Sequence, residues 1–172
     1  MKNRLIVKKN LIDPIKVPQR EILEYKVKMP FERNPQEVFE NILSIGGKRG
    51  WYYANWLWDL RGYIDELFGG VGKRRGRTSN TPLKAGDTLD FWRVLLADQQ
   101  NKRLLLFAEM KVPGEAWLEF KIIEFHGKHF LSQIATFKPS GLWGRIYWYA
   151  MFLFHIFLFN GMARQITQFK TQ

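Results

Sequence analysis

The sequence predicts an α+β fold: an antiparallel sheet wrapped around a long C-terminal helix, with two helices between a first strand and a strand meander. Three observations predict it. Two short amphipathic segments with capping signals occupy the first half, four strand-like runs separated by turn residues follow, and a long apolar segment comes last. The 172 residues suffice for one domain with a real core and are too few for two comfortable ones.

Residues 1–25 read as an arm or an edge strand, because Pro14 and Pro18 interrupt any regular element, and residues 26–172 read as the domain. No long apolar core of the signal-peptide kind opens the chain: Leu5 to Val7 is followed at once by Lys8 and Lys9, and a cytoplasmic protein is expected. The first helix starts at Asn34, a good N-cap, with Pro35 in the first helical position and Glu37 at the capping spacing. Val38, Phe39, Ile42 and Leu43 form its apolar face, and Gly46-Gly47 end it. The second repeats the pattern with Leu57, Leu60, Ile64 and Leu67, stopped by Gly69-Gly70. Trp51, Trp56 and Trp58 add aromatic bulk, which suits packing on a sheet. Arg61 and Asp65, four apart, are expected to form a surface ion pair.

The loop "GGVGKRRGR", residues 69–77, resembles a phosphate cradle at first sight. A phosphate loop needs a strand before it and a helix N-terminus after it. This one follows a helix and precedes the turn residues "TSNTPLKAGD", and Lys73 is followed by Arg74 where Ser or Thr is required. It is no P-loop; a solvated basic loop is the plain reading of Lys73, Arg74, Arg75 and Arg77.

The period then changes from helical to alternating. "TLDFWRVLLA", "RLLLFAEMKV", "AWLEFKIIEF" and "HFLSQIATFK" read as consecutive antiparallel strands, with turns at Asp98–Lys102, Pro113-Gly114 and His126–Lys128. Setting Glu109 opposite Trp117 collects Leu104, Leu106, Ala108, Met110, Ala116, Leu118, Phe120 and Ile122 on one apolar face. The other face carries Glu109, Lys111, Trp117, Glu119 and Lys121. Glu109 and Glu119 are then either an acid–base pair or, as alternation with lysines favours, members of a charged outer face.

Ser140 can cap a final helix whose stretch from Ile146 to Phe159 is apolar apart from His155, bounded by Arg145 and Arg164. That run is shorter than the ~20 apolar residues of a membrane span, so the helix is expected on the sheet, with a membrane or protein contact as the second option. His155, among Met151, Phe152, Leu158 and Phe159, is either a core histidine or a polar contact in a cavity. His126 and His129 lack a third metal ligand and read as surface residues.

Composition narrows the function. The 27 Lys and Arg against 16 Asp and Glu give a net charge of +11, which favours anionic partners. The charge is spread, with nine basic and four acidic residues in the first 33, so nucleic acid is not expected. Apolar residues make up 46% of the chain and 16% are aromatic, which excludes global disorder. With no cysteine there is no disulfide, thiolate metal site or cysteine nucleophile. A nucleophile elbow, a zinc signature and a dinucleotide glycine pattern are also missing, so no metal or cofactor is expected.

"GGKRGWYYANWLWDLRGYIDELFGGVGKRRGR", "GDTLDFWRV", "AEMKVPGEAWLEF" and "GLWGRIYWYAMFLFHIFLFNGM" together resemble an uncharacterised bacterial domain family over roughly residues 46–162. In many members it follows a short-chain-dehydrogenase-like or epimerase-like NAD(P)-binding domain. The family is similar to the helix-grip superfamily of pollen-allergen, START and polyketide-cyclase-like proteins. The resemblance implies a curved sheet gripping the final helix around an apolar cavity, and it carries no established catalytic residues. A dinucleotide-binding half is not among these residues, so an NAD(P)-dependent oxidoreductase partner would be a separate chain.

The function expected is binding of an apolar or amphipathic small molecule. Trp92, Tyr147, Tyr149 and His155 are the cavity candidates, and Arg75 and Arg77 the anion contacts at its rim. A cyclase- or hydratase-type enzyme would instead need two of His155, Asp90 and Glu109 to converge in one pocket. An interaction module would dock an oxidoreductase or a membrane surface through the apolar helix.

Overall fold

The computed structural model describes residues 17–67, 69–70, 72, 76–77 and 82–170. Lys73, Arg74, Arg75 and most of the predicted arm lie outside them. Strand β1 (Leu23–Phe31) is followed by helix α1 (Pro35–Leu43), a 3₁₀ turn (Gly47–Arg49) and helix α2 (Asn55–Leu67). Strands β2 (Thr88–Leu89), β3 (Trp92–Asp98), β4 (Arg103–Ala108), β5 (Gly114–Phe125) and β6 (Lys128–Pro139) come next, and helix α3 (Gly141–Gln168) ends the fold.

The six strands form one antiparallel sheet in the order β1-β6-β5-β4-β3-β2. The meander is as expected, and β1 closes it by pairing with β6. One predicted strand is two: the run from Thr88 to Ala97 breaks at Asp90, whose φ of 53° turns β2 back on β3. The β4–β5 register also differs from expectation, since Phe107, not Glu109, faces Trp117. The Glu109 amide donates to the Phe91 carbonyl at 2.8 Å and leaves β4, so the connection to β5 is longer than a tight hairpin. An offset of two preserves the faces. Leu104, Leu106, Leu118 and Phe120 are fully buried under the helices. The outer face is less polar than expected, for Trp117 is buried there with Leu95 and Leu105.

On that outer face the carboxylates are clasped by arginines. Arg93 donates to both oxygens of Glu109 (2.8 and 3.2 Å) and Arg103 to both of Glu119 (2.9 and 3.1 Å). Two-pronged pairing of this kind suits holding neighbouring strands together.

Local signals hold where the backbone decides them. The Asn34 side chain accepts from the Gln36 amide at 2.8 Å and Pro35 occupies the first turn of α1. Glu37 does not return to the cap; it pairs with Arg33 at 2.6 Å. The ion pair expected between Arg61 and Asp65 is replaced. Asp65 is buried and accepts from the backbone amides of Lys111 (2.7 Å) and Gly72 (2.9 Å), which ties α2 to two loops.

Helix α3 packs on β1, β6 and α1 and is fixed at both ends. Ser140 makes no side-chain cap; its amide donates to the Pro113 carbonyl at 2.9 Å, and Gly144 lets the first turn approach so closely that a Cβ would collide with that oxygen. At the far end the buried Asn41 amide group donates to the carbonyls of Ile166 (3.0 Å) and Phe169 (2.9 Å), and Arg33 donates to Phe169 as well. These are carbonyls that a helix cannot satisfy internally. Gly161 admits the Tyr53 ring against the helix backbone.

The burial expected all round α3 is not found: only 28% of its most apolar stretch is buried, and the helix is long and apolar enough to span a bilayer by length and composition. A single helix lying across a curved sheet can bury just one side, and α1 and α2 cover only part of the rest. Replacing Asn41 by Ala leaves the buried Ile166 carbonyl without its side-chain donor and takes one of two from Phe169, and urea unfolding is expected to show a loss of about 2 kcal/mol.

Candidate ligand-binding cavity

A cavity of about 360 Å³ lies where α2 and the middle of α3 stand off the sheet. Aromatic spacing builds its inner wall. Trp148 stacks on Phe137 of β6 (ring centroids 5.7 Å apart, 7° between planes), His155 sits 4.9 Å from Trp148, and Phe159 stacks on His155 at 5.3 Å. Residues 148, 155 and 159 are seven and four apart, so one stripe of α3 faces inward. From α2, Trp58 stacks on Trp51 at 4.2 Å, and Asp90 accepts from the Trp51 indole at 2.8 Å, locking that pair. Phe91 and Trp92 complete the wall from the β2–β3 hairpin, and Ala135 leaves space on β6.

Three polar atoms inside this apolar wall have no partner: the indole nitrogens of Trp58 and Trp92 and Nδ1 of His155. Buried polar atoms are ordinarily satisfied, so these three nitrogens are exceptions, sunk beneath the surface of the wall. Burial, reinforced by the nearby Arg61 charge, lowers the His155 pKa from 6.5 to about 4, so the ring is neutral at physiological pH. Arg61 lines the cavity on the α2 side. Its guanidinium donates to Met110 Sδ at 2.9 Å and lies 5.9 Å from the Tyr147 ring, and among the described residues no carboxylate pairs with it. Burial raises the Tyr147 pKa, and Arg61 partly offsets that rise.

The sequence-derived candidates therefore separate. Trp92, Tyr147 and His155 line the cavity, whereas Tyr149 is exposed on the opposite side of α3, two residues or about 200° further round. Arg77 is not at the rim. It donates to the carbonyls of Leu43 (2.9 Å) and Ile45 (2.5 Å) after α1, in a second, polar hollow of about 290 Å³ that also contains Asp90 and Asp59. Burial lowers its pKa. Asp90 is engaged with Trp51, Glu109 is clasped by Arg93 on the outer face, and neither converges with His155. Among the described residues no group of three acidic or imidazole side chains could hold a metal.

Arg61, Trp58, Trp148 and Ala135 went unrecognised in the sequence. Trp58 and Arg61 share one face of α2 at a spacing of three, which is the only local sign that they act together.

Comparisons with known proteins supply a family and a fold. Residues 24–162 match the family model described as "Protein of unknown function (DUF2867)", in agreement with the resemblance read from the four sequence blocks. A comparison with curated proteins finds no match. Norcoclaurine synthase from Thalictrum flavum superimposes with a TM-score of 0.52 at 8% identity, over 91% of this chain and 89% of that one. Its complex with dopamine and hydroxybenzaldehyde gives 0.51 at 7%, over 94% of each. Ara h 8.0201 gives 0.45 at 8%, over 84% and 97%. At such identities the likeness to the synthase concerns the fold alone, and the fold is the helix-grip one.

A histidine whose folded pKa is depressed contributes stability above its unfolded pKa and loses it as pH falls toward the folded value. Between pH 6.5 and about 4 the unfolded chain binds a proton that folded His155 refuses. Unfolding measured at several pH values should therefore show wild type losing on the order of 2 kcal/mol more than His155→Phe across that interval.

Proposed function

This chain belongs to the DUF2867 family, and we propose that it binds an apolar or amphipathic small molecule in the cavity between the sheet and α3. The observation that carries this reading is an apolar-walled space of about 360 Å³ lined by Trp58, Trp92, Trp148, His155, Tyr147 and Arg61. Its volume falls in the range of small-molecule sites, and a few polar groups in an apolar wall are what orient a ligand. The favoured guest has an apolar, preferably aromatic, body. Arg61 favours an anionic group toward the α2 side, because its charge has no carboxylate partner among the described residues. That a helix-grip neighbour is seen with dopamine and hydroxybenzaldehyde supports the size class of such a guest.

The reading is one of binding. Asp90 and Glu109 lie outside the cavity, which leaves neutral His155 as the one imidazole there. The family resemblance extends the proposal to an NAD(P)-dependent oxidoreductase as the protein that supplies or receives the bound molecule.

Native mass spectrometry of the purified protein, followed by solvent extraction, tests the proposal directly. A co-purifying apolar or amphipathic compound is expected; an empty protein that also takes up no apolar fluorescent probe would reject it. Filling the space with Ala135→Trp should weaken the neutral probe N-phenyl-1-naphthylamine at least about tenfold in titrations, with the melting temperature little changed. Arg61→Met should weaken the sulfonated probe anilinonaphthalene sulfonate about tenfold and spare the neutral one.

A further inference from the structure

The surface around the cavity mouth is as apolar as its wall. Leu60, Ile64 and Phe154 line the cavity and are also 38–49% exposed, so the opening lies between α2 and α3. Beyond the opening both helices expose further large apolar side chains: Trp143 (76%) and Leu153 (75%) on α3, Leu67 (66%), Trp56 (63%) and Tyr63 (61%) on α2. Single exposed apolar side chains are ordinary, but a contiguous group of large ones marks a surface that something covers.

The chemistry of the patch selects the cover. Helix α3 contains Arg145 and Arg164 and no Asp or Glu in 28 residues. On α2, Asp65 is buried, Asp59 lines the separate polar hollow, and Glu66 is half-buried near the C-terminal end. Trp and Tyr beside arginines suit the headgroup boundary of a bilayer, where the rings keep one end in hydrocarbon and the cations meet anionic lipid. A second copy of the chain suits it less: a two-fold contact would set one arginine-bearing, carboxylate-free helix against its twin. The patch cannot cross the membrane while α3 remains pinned to Pro113 and Asn41 at its ends. It can lie in the plane.

We propose that the α2–α3 face docks in-plane on an anionic bilayer, with the cavity mouth turned toward the lipid so that the guest enters from the membrane. Docking stands on the exposed face alone, while entry of the guest rests on the binding reading above. The protein's +11 charge adds long-range attraction to such a surface and makes docking weaker at high salt.

Flotation of the full chain with vesicles of phosphatidylcholine, and of phosphatidylcholine mixed with phosphatidylglycerol, tests this. The wild-type protein should float with the mixed vesicles and less with the neutral ones. Leu153→Asp, at an exposed position, should lower the bound fraction at least about tenfold while keeping its melting temperature and its uptake of N-phenyl-1-naphthylamine. Ala135→Trp should float normally and take up no probe, so loss of the cavity and loss of docking read out separately. The proposal is overturned if wild type sediments with both vesicles, if Leu153→Asp floats as wild type does, or if light scattering shows a dimer that Leu153→Asp dissolves.

Discussion

Everything in this molecule depends on α3 being anchored at its two ends while only one stripe of it packs on β1 and β6. Pro113 receives the incoming Ser140 amide, and Gly144 permits the close approach there. At the other end, Asn41 and Arg33 take up the last carbonyls. Between those anchors the helix bridges a curved sheet as a straight rod bridges an arc. The gap under the middle is the cavity, and its edges are sealed by the Trp148–Phe137 stack and by Phe159. A helix packed tightly along its whole length would have left a filled core.

The sheet and the cavity wall divide the work of polarity. Outside, Arg93–Glu109 and Arg103–Glu119 hold strands together with charges that are two-thirds buried or more. Such pairs stabilise modestly, but each fixes two side chains in one geometry. Inside, the carboxylates nearest the cavity are already spent: Asp90 on the Trp51 indole, Asp65 on two backbone amides. This leaves Arg61 as a cation facing an aromatic space, where it adds to the burial that keeps His155 unprotonated.

Much of the architecture was legible because it rests on local rules. Asn34-Pro35 starts a helix for reasons internal to five residues, and alternation assigns Leu104, Leu106, Leu118 and Phe120 to one face whatever the register, since a slip of two returns every side chain to its side. What was illegible depends on distant partners. The break at Asp90 lies within a run of good strand formers, and the side chain there accepts from the indole of Trp51, 39 positions away. Arg61 and Asp65 have ideal ion-pair spacing, yet backbone amides from two loops outcompete the guanidinium for the carboxylate. Of the cavity residues, His155 and Tyr147 stood out as polar groups on an apolar helix. Tyr149 looked the same and faces away, because a helix turns through about 100° per residue and composition does not record phase. Ala135 had no local mark at all, and Trp58 only its spacing of three from Arg61.

The placement of the tryptophans has an optical consequence. Trp58, Trp92 and Trp148 line the cavity, while Trp56 and Trp143 stand on the outer surface of α2 and α3. The chain thus contains two populations of intrinsic fluorophore, one sensing what occupies the interior and one sensing what the helices touch. Quenching by a guest and a blue shift at an interface would arise from different rings. Emission from the unlabelled protein can therefore tell filling from contact, once Trp56 and Trp143 are exchanged for phenylalanine to silence the second signal.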